Sequence, residues 1–89
     1  MRVSALDVER AFEDLLAGTR SRVEIAEWAS RAMQSEDLGT LEYDPPSAEE
    51  RIWEGILYLL GADLKAAPGL DLHHEGDFRE FFDRWRESR

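Results

Sequence analysis

Five side chains able to hold a metal or move a proton crowd into one short stretch: Asp71, His73, His74, Glu75 and Asp77. A metal needs ligands converging from fixed elements, and two adjacent histidines in a loop direct their rings apart more often than together. His73 and His74 are thus weak metal candidates, and no cofactor is expected. A histidine general base oriented by Asp71 is the competing chemistry. It comes without a nucleophile motif, an oxyanion signature or a glycine-rich phosphate loop, so the chain is not expected to be an enzyme. The structural alternative is that one histidine packs at or caps the start of the last helix, with Glu75 and Asp77 complementing its dipole.

A second constellation is electrostatic. The 89 residues carry a formal net charge of −9, and the excess of carboxylates lies between Glu36 and Asp77. Within it, Glu36, Asp37, Glu42, Asp44, Glu50 and Glu54 surround Tyr43 and two prolines. Glu49 and Glu50 are partly committed to a helix cap and dipole. Charge runs are commonly solvated faces, but an aromatic set in an anionic surface is also the arrangement that steers a basic protein and then anchors it. The partner-binding candidates are Glu36, Asp37, Glu42, Tyr43, Asp44, Glu50 and Glu54. A field of this sign disfavours nucleic acid and anionic lipid, so neither is expected as a partner.

The elements that position these groups are helical. Ser4 and Asp7 stand in cap and third positions before Ala5, Val8, Phe12, Leu15 and Leu16, and Ser21 and Glu24 repeat that signal before Ile25, Trp28, Ala29, Ala32 and Met33. The short connection after Gly18 implies an antiparallel hairpin. Residues 36–46 read as a loop, anchored inward by Leu38, Leu41 and Tyr43. Ser47 and Glu50 form a third capping signal, opening a helix whose apolar residues Ile52, Trp53, Ile56, Leu57, Leu59 and Leu60 span an arc of roughly 160°, wide enough to need cover from two sides. Gly61 supplies a residue able to take positive φ past its last turn. Pro68 and Gly69 mark a turn, with Leu64, Leu70 and Leu72 as inward anchors. Phe78, Phe81, Phe82 and Trp85 give the last helix an aromatic face, and Trp28, Trp53 and Trp85 are expected to form the aromatic core.

The expected fold is therefore all-α, one four-helix bundle-like domain over residues 1–89, with helices at about 4–17, 22–35, 48–60 and 75–88 and no strand pattern anywhere. Cysteine is absent, which excludes a disulfide framework, a thiolate nucleophile and a cysteine-based zinc site. No apolar run reaches the roughly 20 residues of a membrane span, and the first ten residues lack the apolar stretch of a signal peptide, so a cytoplasmic protein is expected.

The order of SRVEIAEWASRAM, the acidic YDPP, EERIWEGILYLLGADL and LHHEGDFREFFDRW, over residues 21–86, resembles small acidic immunity proteins of bacterial polymorphic and contact-dependent toxin systems. It is also broadly similar in size, charge and class to colicin DNase immunity proteins, in which a tyrosine-proline turn meets a basic nuclease. Here Tyr43 and Pro45 echo that turn, with Asp44 between them. The resemblance implies a non-enzymatic inhibitor that neutralises a basic cognate toxin through the acidic surface, as a monomer or weak homodimer. The alternative is a structural or regulatory helical module that self-associates through leftover apolar surface around Tyr58.

Overall fold

Serine followed three residues later by an acid opens each of the first two helices, and in the computed structural model both pairs close as reciprocal capping boxes. The structure describes residues 1–67, 70–71 and 74–87. In helix α1, Ala5–Ala17, the Ser4 hydroxyl accepts from the Asp7 amide at 3.0 Å while the Asp7 carboxylate accepts from the Ser4 amide at 2.9 Å. In helix α2, Arg22–Asp37, Ser21 and Glu24 do the same at 3.1 Å each way. Each box satisfies two backbone donors that a helix start otherwise leaves to water.

Gly18 ends α1 at φ 76°, a left-handed conformation that glycine takes without a Cβ penalty. The chain then reverses within four residues. Asp14 organises the turn: its carboxylate accepts from the Thr19 hydroxyl and from Arg20 Nε, both at 2.9 Å.

The third helix departs from the expectation. Pro46–Ala48 forms a single 3₁₀ turn, closed by the Ala48 amide donating to the Pro45 carbonyl at 3.0 Å. Helix α3 proper is Glu49–Leu60, with Ala48 at its N-cap and no side-chain cap. Ser47 thus lies inside the 3₁₀ turn and not at the cap. The fixed φ of Pro46 starts the tighter turn, and Glu49 and Glu50 remain to serve the dipole of α3. Gly61 has φ −89°, so it ends α3 without the left-handed residue expected there. The last helix, α4, is Glu75–Glu87. At its start the His74 amide donates to Asp77 Oδ2 at 2.9 Å, so His74 contributes its backbone to the cap.

The all-α expectation needs a second correction. Strand β1, Arg2–Ser4, pairs in parallel with β2, Glu42–Asp44, placing Arg2 beside Glu42, Val3 beside Tyr43 and Ser4 beside Asp44. The Met1 amine extends the pairing by donating to the Thr40 carbonyl at 3.0 Å. Two further short strands, β3 at Lys65–Ala67 and β4 at Leu70–Asp71, pair antiparallel. Segments of two or three residues are too short to display alternation. The fold is mostly helical, with four helices and these strand pairs, and it is not a plain four-helix bundle.

Helix α3 packs against both α1 and α2, as its broad apolar face requires, while α4 lies chiefly along α1. Val8, Ala11 and Phe12 of α1, Ile25, Ala29 and Ala32 of α2, and Ile52, Ile56 and Leu59 of α3 are fully buried. The aromatic core is centred on Phe12 and not on three tryptophans. Its ring stacks on Phe82 at 5.0 Å and on Phe81 at 5.6 Å and lies 6.2 Å from Trp85. Trp85 is buried, whereas Trp28 and Trp53 are only partly covered at the edge of the core. One phenylalanine on α1 meets three of the four aromatic residues of α4, Phe81, Phe82 and Trp85, which periodicity within single helices does not reveal.

Gly55 lets α1, α3 and α4 meet. A Cβ there would stand 2.5 Å from Val8 Cγ1 and 3.3 Å from Trp85 Nε1. Through the space it leaves, the Trp85 indole donates to the Arg51 carbonyl at 2.8 Å. In return the Arg51 guanidinium lies 3.8 Å over the Trp85 ring and its Nε donates to the Trp85 carbonyl at 3.3 Å. The pair clamps α3 to α4.

Candidate functional site

The β1/β2 pairing gathers part of the acidic surface. Because β2 is tied to β1 on one side and runs into the 3₁₀ turn on the other, Glu42, Tyr43, Pro46 and Glu49 line a shallow cleft with Arg2, of about 470 Å³. Arg2 reaches Glu42 at 3.9 Å, an exposed pair of little energetic weight. Tyr43 is half-buried against the core, and its hydroxyl donates to Glu36 Oε2 at 3.1 Å. Burial, that hydrogen bond and the negative charges of Glu36 and Glu49 push the Tyr43 phenol up from 10.0 to about 12.

This shift fixes the sign of a pH effect. Since the folded state holds the Tyr43 proton more tightly than the unfolded chain, the Tyr43 contribution is intact below pH 10.0 and is lost as pH rises towards about 12. Tyr43→Phe is expected to flatten that fall, read from urea midpoints of both proteins across alkaline pH. Burial raises the Tyr58 phenol as well, so the difference between parent and variant isolates Tyr43.

The other expected site residues are less gathered. Asp37 ends α2, Asp44 ends β2, and Glu50 and Glu54 lie on α3; all four are exposed. The structure therefore brings together Glu36, Glu42, Tyr43 and Glu49, and it does not draw Asp37, Asp44, Glu50 or Glu54 into the cleft. Of the loop anchors, Leu41 and Tyr43 pack inward, but Leu38 is 77% exposed. Leu64 and Leu70 also point outward, at 51% and 53%. Leu72 and His73 lie outside the described residues. Among the described residues no group of three or more metal-binding side chains converges, and His74 is exposed. Tyr58 stacks on Phe81 at 3.9 Å between ring centroids, so its ring is already committed to packing within the molecule.

A different surface carries no motif and no charge excess of its own. It is the outward side of α2, reached directly from the Gly18 turn. Val23 is 52% exposed there, and Glu24, Glu27, Arg31 and Gln34 are exposed along the same helix. The signal that could have marked it is Val23, an apolar residue outside the inward set of Ile25, Trp28, Ala29 and Ala32. From residue 18 to 35 the chain carries three arginines, Arg20, Arg22 and Arg31, against two glutamates. The stretch is close to neutral within an acidic chain, since Arg20 is paired with Asp14.

Taken together, the described residues form a small helical module with an acidic cleft at one surface and an uncommitted outward side on α2. A family model described as "YxzC DNA-binding protein" matches residues 3–85, and the chain belongs to that family. The uncharacterized protein YxzC of Bacillus subtilis (strain 168) is 29% identical over 77 residues, covering 84% of this chain and 56% of the relative. The chain thus spans about half the length of that curated relative. No solved structure matches.

These findings correct the expected kinship and partner. The chain is of the YxzC family and not of the immunity proteins, and the reading as a toxin inhibitor falls with that resemblance. The stretches that carried it supply mainly caps and core residues such as Ile25, Ile52, Phe78 and Trp85, which any small helical domain needs. The exclusion of nucleic acid, and with it the basic protein as the expected partner, is overturned by the family's description. Net charge is a sum over the whole surface, whereas a groove or a partner meets one side of the molecule. Among the described residues no helix is long and apolar enough to cross a membrane.

Proposed function

We propose that the chain is a DNA-associated regulatory module, non-enzymatic and cytoplasmic, that meets duplex DNA through a narrow contact and not a broad basic face. The observation carrying this is the family match, which runs from Val3 to Trp85 and so takes in nearly everything from β1 to α4. Two features of the molecule agree with it. Helices α1 and α2 are joined by four residues including a left-handed glycine, the kind of connection found in helix-turn-helix units. The two helices together are net acidic, but the turn and the first part of α2, residues 18–35, carry three arginines against two glutamates, while the acidic surface around β2 and α3 would repel phosphate and so restrict how a duplex can approach.

A narrow contact releases few counterions. Binding to a short labelled duplex, followed by fluorescence anisotropy, is expected at low salt with a log–log salt slope no steeper than about −3, corresponding to roughly three phosphates or fewer. A slope much steeper than that would contradict the narrow contact. Absence of binding to any duplex at the lowest salt would sink the DNA reading itself.

A further inference from the structure

We propose that the outward stripe of α2 formed by Val23, Glu27, Arg31 and Gln34 is a base-reading surface that enters the major groove; this rests on the DNA reading above. The four residues recur at helical spacing, so they share one side of the helix away from the buried Ile25, Ala29 and Ala32. Val23 is 52% exposed and the other three are exposed. Among the described residues none of the three polar side chains is held by a hydrogen bond or an ion pair. On α4, Arg79 and Arg86 are held by Glu75 and Asp83 at 3.4 and 2.6 Å.

The chemistry of the stripe matches base edges better than it matches phosphates. An arginine pairs with guanine O6 and N7 through two donors, a glutamine with adenine N6 and N7, and a glutamate accepts from cytosine N4. An exposed valine can give a thymine methyl an apolar partner. At 16 residues α2 is about 24 Å long, enough to lie along a major groove. Arg20 is paired with Asp14, so Arg22 and Arg31 are the cations that stand against Glu24 and Glu27 on α2, and the acidic run begins only at Glu36, which leaves the first three turns the least repulsive part of the helix. The stripe offers a hydrogen-bonding side chain at each successive turn after Val23, with no internal partner.

The test starts from duplexes selected by the wild-type protein out of a randomised library, then compares affinity for the selected and a scrambled duplex. Arg31→Ala is expected to lower the preference roughly tenfold to a hundredfold, and Arg31→Lys to keep affinity for scrambled duplex while losing most of the preference. Arg79→Ala, on α4, is expected to leave the preference unchanged, and circular dichroism should show all three variants folded. If the wild type selects no sequence, or Arg31→Ala and Gln34→Ala both retain full preference on a duplex that the wild type does bind, the α2 stripe is not the reading surface although the DNA reading stands. If the wild type binds no duplex, both fall.

Discussion

Gly55→Ala is expected to destabilise the protein by about 1–3 kcal/mol, the usual cost of forcing an extra methyl into a closed core. For a chain of this size that lowers the thermal midpoint by about 5–20 °C, measurable by differential scanning calorimetry. The reasoning is geometric. The new Cβ would stand 2.5 Å from Val8 Cγ1, which is buried on α1 and has no solvent to retreat into. It would also press on the Trp85 indole and so loosen the hydrogen bond that Gly55 leaves room for. Alanine is a better helix former than glycine by about 1 kcal/mol, so an unchanged or raised midpoint would mean that α1 and α4 move aside freely. Val8→Ala in the same background is the internal control: it removes the clashing methyl and should recover part of the loss.

The second large effect is at Trp85. Trp85→Ala is expected to cost about 3–5 kcal/mol, from lost burial and the cavity left behind. Proteins of this length hold a total of about 4–13 kcal/mol, so the variant should unfold at markedly lower urea, with the midpoint read by far-ultraviolet circular dichroism. Trp85→Phe keeps most of the ring and its stacking near Phe12 and Phe82 but removes the indole donor to the Arg51 carbonyl. Its cost should be nearer 1 kcal/mol, the net worth of one hydrogen bond. Equal losses for the two variants would mean that the clamp between α3 and α4 is held by the hydrogen bond and not by packing.

Much of the helical framework was legible because its signals are local. Ser4 with Asp7 and Ser21 with Glu24 declare two helix starts through contacts three residues long, and Phe78, Phe82 and Trp85 declare a buried side by period alone. The failures share a physical cause. Ser47 and Glu50 carry the same signal as the first two boxes, but the proline immediately before Ser47 imposes its own φ, and the 3₁₀ turn wins. The β1/β2 pairing and the central place of Phe12 depend on residues from distant parts of the chain, about which local periodicity is silent. The site was less legible still. Counting charge found Glu36, Glu42 and Tyr43 but left Glu49 to the helix cap and assigned the cluster a partner from its sign, while the α2 stripe, which balances its charges, left no mark in the count.

Phe12 meets Phe81, Phe82 and Trp85 near the other end of the chain, and this contact has a consequence for how the molecule assembles. Neighbouring helices such as α1 and α2 can find each other quickly, but the aromatic seam forms only once a loop spanning most of the chain has closed, which costs entropy before any packing is gained. Until then Phe12 has only the cover that α3 gives it through Tyr58. Docking of α4 is therefore the step that couples the two ends of the chain into one cooperative unit, and a nascent chain still lacking α4 would leave one side of Phe12 uncovered.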